Sequence, residues 1–211
     1  MIEIPAARPA GMTEQWPGQY DIFSWLEFVV AAPGLLHVVT TRKTTGMANA
    51  NFNAWMLPVG DADRYCAVIA ILRHQHTFTN ILREREWCVN IPRDDQYDQL
   101  LRTVQCGPGD DGADELAHAG FTAAPAQSVA APRMAEAGLV MECRLEWDRP
   151  LLDGSRWHLF CGRVTHVAMQ DAVAAENPQE RLRALMPMYN IHNPLNPRTL
   201  RHGGDTHIRL A

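Results

Sequence analysis

"LVMECRLEWDRPLLDGSRWHLFCGRVTHVAMQ", residues 139–170, decides the fold class. It holds two long runs rich in Val, Leu, aromatic residues and Cys, with Asp153-Gly154 between them. An Asp-Gly pair supplies the positive φ that a tight hairpin turn needs, so the two runs are predicted to pair antiparallel. Within the first run Cys143, Leu145 and Trp147 alternate with Arg144 and Glu146. That period of two is the pattern of a strand with one wet face.

Working outward, strands are predicted over 35–41 ("LLHVVTT"), 47–57 ("MANANFNAWML"), 65–72 ("YCAVIAIL") and 86–91 ("EWCVNI"), with turn residues bounding most of them. Helices are few. "RDDQYDQLLRTV" (93–104) puts Tyr97, Leu100, Leu101 and Val104 on one stripe behind an Asp cap. "NPQERLRALM" (177–186) opens with Asn177 as cap, Pro178 first and Glu180 third, close to a capping box. "ADELAHAG" (113–120) is a short helix ended by Gly120. Strands do not alternate with long helices, so a doubly wound parallel sheet is disfavoured. An antiparallel sheet with helices inserted between strands points to a barrel, because closure removes sheet edges. One domain is expected over 1–211, with 1–30 as an irregular N-terminal arm and 171–211 as a C-terminal helix and tail.

Composition narrows the partners. The chain is 46% hydrophobic and 20% charged, with a formal charge of -5. This is a soluble globular balance, and it argues against nucleic acid or an anionic membrane surface. No apolar run reaches the roughly 18 residues that span a bilayer; "FVVAAPGLLHVVTT" (28–41) is broken by Pro33-Gly34. The first twenty residues lack the basic start and apolar core of a signal peptide. The five Cys include no Cys-x-x-Cys pair. Cys66, Cys88, Cys143 and Cys161 lie in apolar strand-like runs and read as buried thiols of a cytoplasmic protein, whereas Cys106 adjoins a loop, "GPGDDG" (107–112).

The chemistry concentrates in "RHQHTFTNILREREWCVNIP" (73–92), where Arg73, His74, His76 and Thr77 gather at the mouth of a very short helix. A helix start has unpaired N–H groups and a partial positive charge, which suits an anion. Thr77 is the expected N-cap, its hydroxyl alternatively meeting a phosphate; Arg73 adds a fork of donors and His76 stands beside it. The plain alternative is that Thr77 only caps, Arg73 ends a strand in solvent, and His76 is a surface turn residue. Asn80, inside the helix, would by habit bond nearby backbone. Asn49, Asn51 and Asn53 alternate onto one face of a strand, either a solvated outer face or a polar wall for a planar heterocycle. Trp55 reads as core. His74 and His76 share a face, but no Cys, Asp or Glu nearby completes a metal site, so no metal is expected. "RHGGDTH" (201–207) lacks the context of a nucleotide loop and reads as a turn before a short strand, "HIRL" (207–210).

"VVTTRKTTGMANANFNAW" (38–55), "HTFTNI" (76–81), "WCVNIP" (87–92) and "CGPGDDGADELAHAGFTAAPAQSVAAPRMAEAGLVMECRL" (106–145), in this order, resemble the flavin reductase-like FMN-binding split-barrel family, its flavoredoxin branch in particular. The likeness runs over about residues 30–170. It implies a mainly β fold, a six-stranded Greek-key split β-barrel with added helices, and a homodimer holding FMN at or near its interface. It implies an oxidoreductase that passes hydride from NAD(P)H to flavin, with no catalytic side chain. Two alternatives are a flavoredoxin-type carrier fed by a redox protein partner, without a nicotinamide site of its own, and a non-enzymatic dimer with a degenerate flavin site. By position, the isoalloxazine edge is expected along Asn49, Ala50, Asn51, Phe52 and Asn53. The phosphate is expected at Ala54, Trp55, Arg73, His76 and Thr77, with Asn80 completing the candidate set. Two departures stand out: Ala54 replaces the family's Ser before Trp, and Glu115 replaces a Lys. Each hydrogen bond lost to a charged group is worth roughly 1.5–3 kcal/mol.

Overall fold

The computed structural model describes residues 1–10, 12–106 and 112–203, and the backbone of 207–209. Seven strands form one antiparallel sheet: β1 (His37–Arg42), β2 (Ala48–Asn53), β3 (Met56–Asp61), β4 (Arg64–Leu72), β5 (Glu86–Ile91), β6 (Leu139–Pro150) and β7 (Trp157–Met169). Their order across the sheet is β2-β1-β5-β6-β7-β4-β3. The two edge strands, β2 and β3, are therefore consecutive in the chain, joined only by Ala54 and Trp55. So short a tether makes the sheet curl and brings Asn53, at the end of β2, against Ala70 of β4, which makes it a split barrel. The seam is stitched by the Asn53 amide donating to the Ala70 carbonyl at 2.9 Å and the Ala70 N–H donating to the Trp55 carbonyl at 3.1 Å. Residues 47–57 were expected as one strand of a six-stranded barrel. They are two, because the Asn53 side-chain oxygen accepts from the Trp55 N–H at 2.7 Å and turns the chain.

β1, β5 and the first part of β6 (140–143) are buried on both faces. Val39, Val89 and Met141 point into the barrel with Ile69, Ile71, Trp87 and Phe160. Val38, Cys88 and Val140 point outward, under Leu100, Leu116 and Phe121. Burial on both sides explains why these segments read as near-continuous apolar runs. Helix α3 (His76–Glu84) lays Ile81 into the barrel core. At nine residues it is longer than the sequence suggested, and it packs.

The Asp153-Gly154 hairpin is present, with Gly154 at φ +74. The alternation read across Cys143, Leu145 and Trp147 does not hold to its end. Leu145 pairs with Gly162 and Trp147 with Cys161, so Glu146 is an extra residue, a β-bulge. The bulge turns Trp147 outward, 40% exposed, away from Cys143.

The arm is not irregular. It holds α1 (Gln19–Ile22) and α2 (Trp25–Val30), the latter with a Ser24–Glu27 capping box. Residues 93–104 have no Asp cap; a 3-10 turn (Asp94–Gln96) precedes α4 (Tyr97–Thr103), and the Gln96 side chain accepts from the Arg93 N–H at 2.9 Å. Asp114 caps α5 (Glu115–Ala119), which Gly120 ends at φ +83. Asn177 caps α6 (Pro178–Leu185). His207–Arg209 is a strand as expected, pairing Met188–Asn190. The expected turn at 204–206, Leu210 and most of "GPGDDG" (107–111) lie outside the described residues. No helix among those described is long and apolar enough to cross a membrane.

A buried carboxylate fastens the long 122–134 connection to β6. Glu142 is fully buried and accepts from the Gln127 N–H at 2.9 Å, the Ser128 N–H and hydroxyl at 2.6 Å each, and Arg133 Nε at 2.7 Å. Burial alone would raise its pKa, but these donors together hold it at about 2, below the ordinary 4.5. A depressed carboxyl stabilises the fold above its unfolded pKa and loses that contribution as pH falls towards the folded one. Urea unfolding is expected to show about 3 kcal/mol lost between pH 5 and pH 2 from this group. Glu142→Gln should be less stable at pH 7 and flatter across that range. Parallel acid profiles for the two proteins would disprove the assignment.

Candidate functional site

The site begins at the free edge of β2, which pairs only with β1. Along an antiparallel strand, successive residues turn their N–H and C=O alternately towards and away from the neighbour. The Ala50 N–H donates to the Glu115 carboxylate at 2.7 Å, so Ala50 faces away from β1. Phe52, two residues on, has the same aspect and offers its N–H and C=O off the sheet.

The Asn row is not a solvated face. Asn49 and Asn53 are buried and Asn51 is half-buried. Asn49 donates to Thr77 Oγ1 at 2.8 Å, and Asn53 bridges the seam and contacts the Asn51 side-chain oxygen at 3.2 Å. The three amides are a polar seam inside the protein.

Two cavities flank this edge. The larger, about 370 Å³, is walled by Phe52, Trp55, Tyr97 and Trp157 together with Trp16, Phe23 and Phe28 from the arm. Its polar groups are amides: Gln15, Gln19, Asn51, Asn53, Gln75, Asn190 and Asn193. Among the described residues no Asp, Glu, Lys or Arg lines it. His192 lines it too, and burial pushes its pKa down, which keeps the ring neutral at pH 7. Trp55, expected as core, is instead the hub of this wall. Its ring lies 4.7 Å from Trp157, 4.8 Å from His192 and 5.7 Å from Phe23, stacked on the last at 18°.

The smaller cavity, about 190 Å³, is bounded by Asn49–Phe52, by His74–Thr77, by Thr103, Val104 and Cys106, and by Glu115. Asn51, Phe52 and Gln75 line both cavities, so the two adjoin along the β2 edge, and together they make up the candidate cleft.

The expected phosphate residues do not converge. His76 and Thr77 line the small cavity, whereas Ala54 and Trp55 line the large one. Arg73 lines neither; its guanidinium sits 5.9 Å over the Phe78 ring, and its N–H donates to the Arg156 carbonyl at 2.9 Å. Asn80 is buried and donates to Thr41 Oγ1 at 3.0 Å, pinning α3 to β1. Thr77 is not the N-cap. Gln75 holds that position without a side-chain cap, and Thr77 is buried one turn-step further in.

Sequence reading missed Lys43. It ends the "VVTTRK" run beside Arg42 and looks solvated there, yet its side chain is 1% exposed. Its Nζ lies 3.0 Å from Glu115 Oε1 and donates to the Ala113 carbonyl at 2.9 Å. His76 Nδ1 is 3.8 Å from the same Glu115 oxygen. The arm was missed as well, although the aromatic density of residues 16–28 was a usable signal. Among the described residues no three His, Cys, Asp or Glu side chains gather as metal ligands, and all five Cys are free thiols.

A family model described as "Flavin reductase like domain" matches residues 31–192. Among solved structures, nitrilotriacetate monooxygenase component B from Bacillus cereus is similar over 100% of this chain and 98% of its own, at 20% identity and a TM-score of 0.77. The 2-nitrobenzoate 2-nitroreductase of Pseudomonas fluorescens is similar over 88% of this chain and 84% of its own, at 21% identity and a TM-score of 0.66. Flavoredoxin of Desulfovibrio vulgaris (Miyazaki F) is similar over 94% of each chain, at 14% identity and a TM-score of 0.68. A curated protein of Aquifex aeolicus (strain VF5), described as uncharacterised, is 29% identical over 101 residues; the match spans about half of each chain, 48% of this one and 49% of the relative.

The buried Lys43–Glu115 pair yields a prediction on stability. Removing one partner of a buried ion pair strands the other, at a cost of about 3–5 kcal/mol, whereas replacing both with apolar groups is often near neutral. Glu115→Leu should therefore lower the urea midpoint sharply, and Lys43→Met combined with Glu115→Leu should recover most of the loss. Equal or additive losses would mean that the pair is not coupled.

Proposed function

The chain belongs to the flavin reductase-like family, and on that premise we propose that it is a flavin-dependent oxidoreductase passing hydride from NAD(P)H to a flavin, FMN being the flavin its resemblance implies. One observation carries this reading: a charge-free, aromatic-walled cavity opens on the unpaired edge of β2. When bound, a flavin supplies the hydride chemistry at its N5, and no side-chain acid or base is needed for it.

The chain's own residues bind and orient. Trp55 and Trp157 offer flat apolar surface, and aromatic pairs add about 0.5–1.5 kcal/mol beyond their buried area. The Phe52 N–H and C=O and the Asn51 amide offer both donors and acceptors, which suits the mixed polar edge of an isoalloxazine. Trp16, Phe23 and Phe28 close the cavity from the arm side and keep water off the ring face. The tail runs past Asn49–Asn51 towards His76 and Thr77 at the start of α3. The same reading carries a single domain and a cytoplasmic homodimer with flavin at or near its interface. Exposed Leu57 and Val59 of β3 and Trp147 of β6, on one face of the sheet by register, supply apolar surface for a second copy.

The test is a titration of the purified protein with flavin, followed by Trp emission, then NADH or NADPH oxidation read at 340 nm. Saturable quenching is expected, with turnover by one of the nucleotides, and Trp55→Ala should weaken binding about tenfold. Binding without turnover by either nucleotide would favour a flavoredoxin-type carrier. Absence of binding would remove the redox reading altogether and leave the non-enzymatic dimer.

A further inference from the structure

On the reading above, the smaller cavity receives the flavin's tail, and its wall carries the wrong charge for a phosphate. Glu115 is the only formally charged side chain lining it among the described residues. Segment 107–111 reads Gly-Pro-Gly-Asp-Asp, so it has no basic residue to add. Lys43 does not reach the wall, since its ammonium is engaged by Glu115 and the Ala113 carbonyl. Arg73 is turned onto Phe78. What faces a tail is thus a carboxylate, Thr77, the amides of Asn49 and Asn51, and two imidazoles, His74 and His76. The carboxylate is fixed in place. One oxygen accepts from the Ala50 N–H at 2.7 Å and the other contacts Lys43 at 3.0 Å, so it cannot swing away without orphaning a buried ammonium.

A phosphate set beside that carboxylate meets like charge in a partly desolvated site. A polyol meets acceptors that its hydroxyls can satisfy: the remaining carboxylate lone pairs and the Asn side-chain oxygens. We propose that Glu115 is a specificity-determining residue, and that the cleft takes a flavin with a neutral polyol tail, riboflavin, in preference to its phosphate ester FMN. This deepens the functional reading above and rests on it.

Dissociation constants for riboflavin, FMN and tail-less lumiflavin, measured by Trp quenching of the full chain, test the proposal. Riboflavin should bind at least about tenfold more tightly than FMN. Glu115→Gln removes the negative charge and leaves Lys43 unneutralised, so FMN should tighten by at least about tenfold while riboflavin changes little. FMN binding as tightly as riboflavin, or more tightly, in the native protein would overturn the proposal, and that ratio decides the matter even if Glu115→Gln fails to fold. An unaltered FMN constant in a folded Glu115→Gln protein would overturn the role of Glu115. Lumiflavin separates the two readings. If it binds and the ratio is reversed, only this inference falls; if no flavin binds, the functional reading falls with it.

Discussion

Everything distinctive in this molecule follows from a tether of two residues. Ala54 and Trp55 join the two edge strands of a seven-stranded sheet, so the sheet has to curl. Curling brings the β2 edge against β4 without a regular ladder between them, and the backbone groups there need other partners. Asn53 meets that need twice: its amide donates across the seam to Ala70, and its side-chain oxygen takes the Trp55 N–H. Glu115 does the same further along, taking the Ala50 N–H. Only near Phe52 does the edge face open space, and the cleft forms there. A binding site at a sheet edge is what remains once closure has satisfied everything it can reach.

The strands were legible because burial writes itself into composition. "EWCVNI" is a strand from Glu86 to Ile91 as read, and the Asp153-Gly154 hairpin is where the turn chemistry placed it. Misreadings arose where one side chain decided the outcome. A local pattern cannot show that Asn53 will turn the chain at Trp55, or that one extra residue at Glu146 will throw Trp147 outward. The segments that the family resemblance singled out, β2, α3 and α5, do converge around the small cavity. The contacts within that region escaped it, because they depend on which way each side chain turns. Arg73, a strong phosphate donor on paper, turns to Phe78. Lys43, an ordinary strand-end lysine on paper, turns inward to a glutamate 72 positions away in the sequence.

The Asn row shows why a polar strand need not be a wet one. Each amide carries donors and an acceptor, so buried Asn is tolerable only when both ends are used. Asn49 is held by Thr77, and Asn90 in β5 donates to the Val38 carbonyl and Thr40 while accepting from the Met134 N–H. Asn80 adds a further bond from α3 to Thr41. Asn49 and Asn80 stand among the candidate ligand contacts of the sequence. In the fold these Asn residues are pegs that fix α3, the 131–134 connection and β2 relative to β1, and so set the cleft's shape; Asn49 lines the small cavity as well.

The two ends of the cleft have different origins in the chain. The small cavity is built from β2, α3, α5 and the end of α4, all within the span that matches the family model. The large cavity borrows Trp16, Phe23 and Phe28 from before that span, and Asn193 from just beyond it. The borrowed wall is anchored by directional bonds rather than by contact alone. Trp157 Nε1 donates to the Ile22 carbonyl at 2.9 Å, Trp25 Nε1 donates to the Ala6 carbonyl at 2.8 Å, and the Tyr20 hydroxyl lies 3.2 Å from His202 Nε2. On the proposed reading, an aromatic wall held this way would exclude water from a ring face while leaving the β2 edge to meet the ring's polar rim. On that reading the shared scaffold would fix where a flat ligand meets backbone, and the segments outside it would determine what covers that ligand. Among the described residues the cover is uncharged, and the one charged side chain on the cleft wall, Glu115, stands at the opposite end.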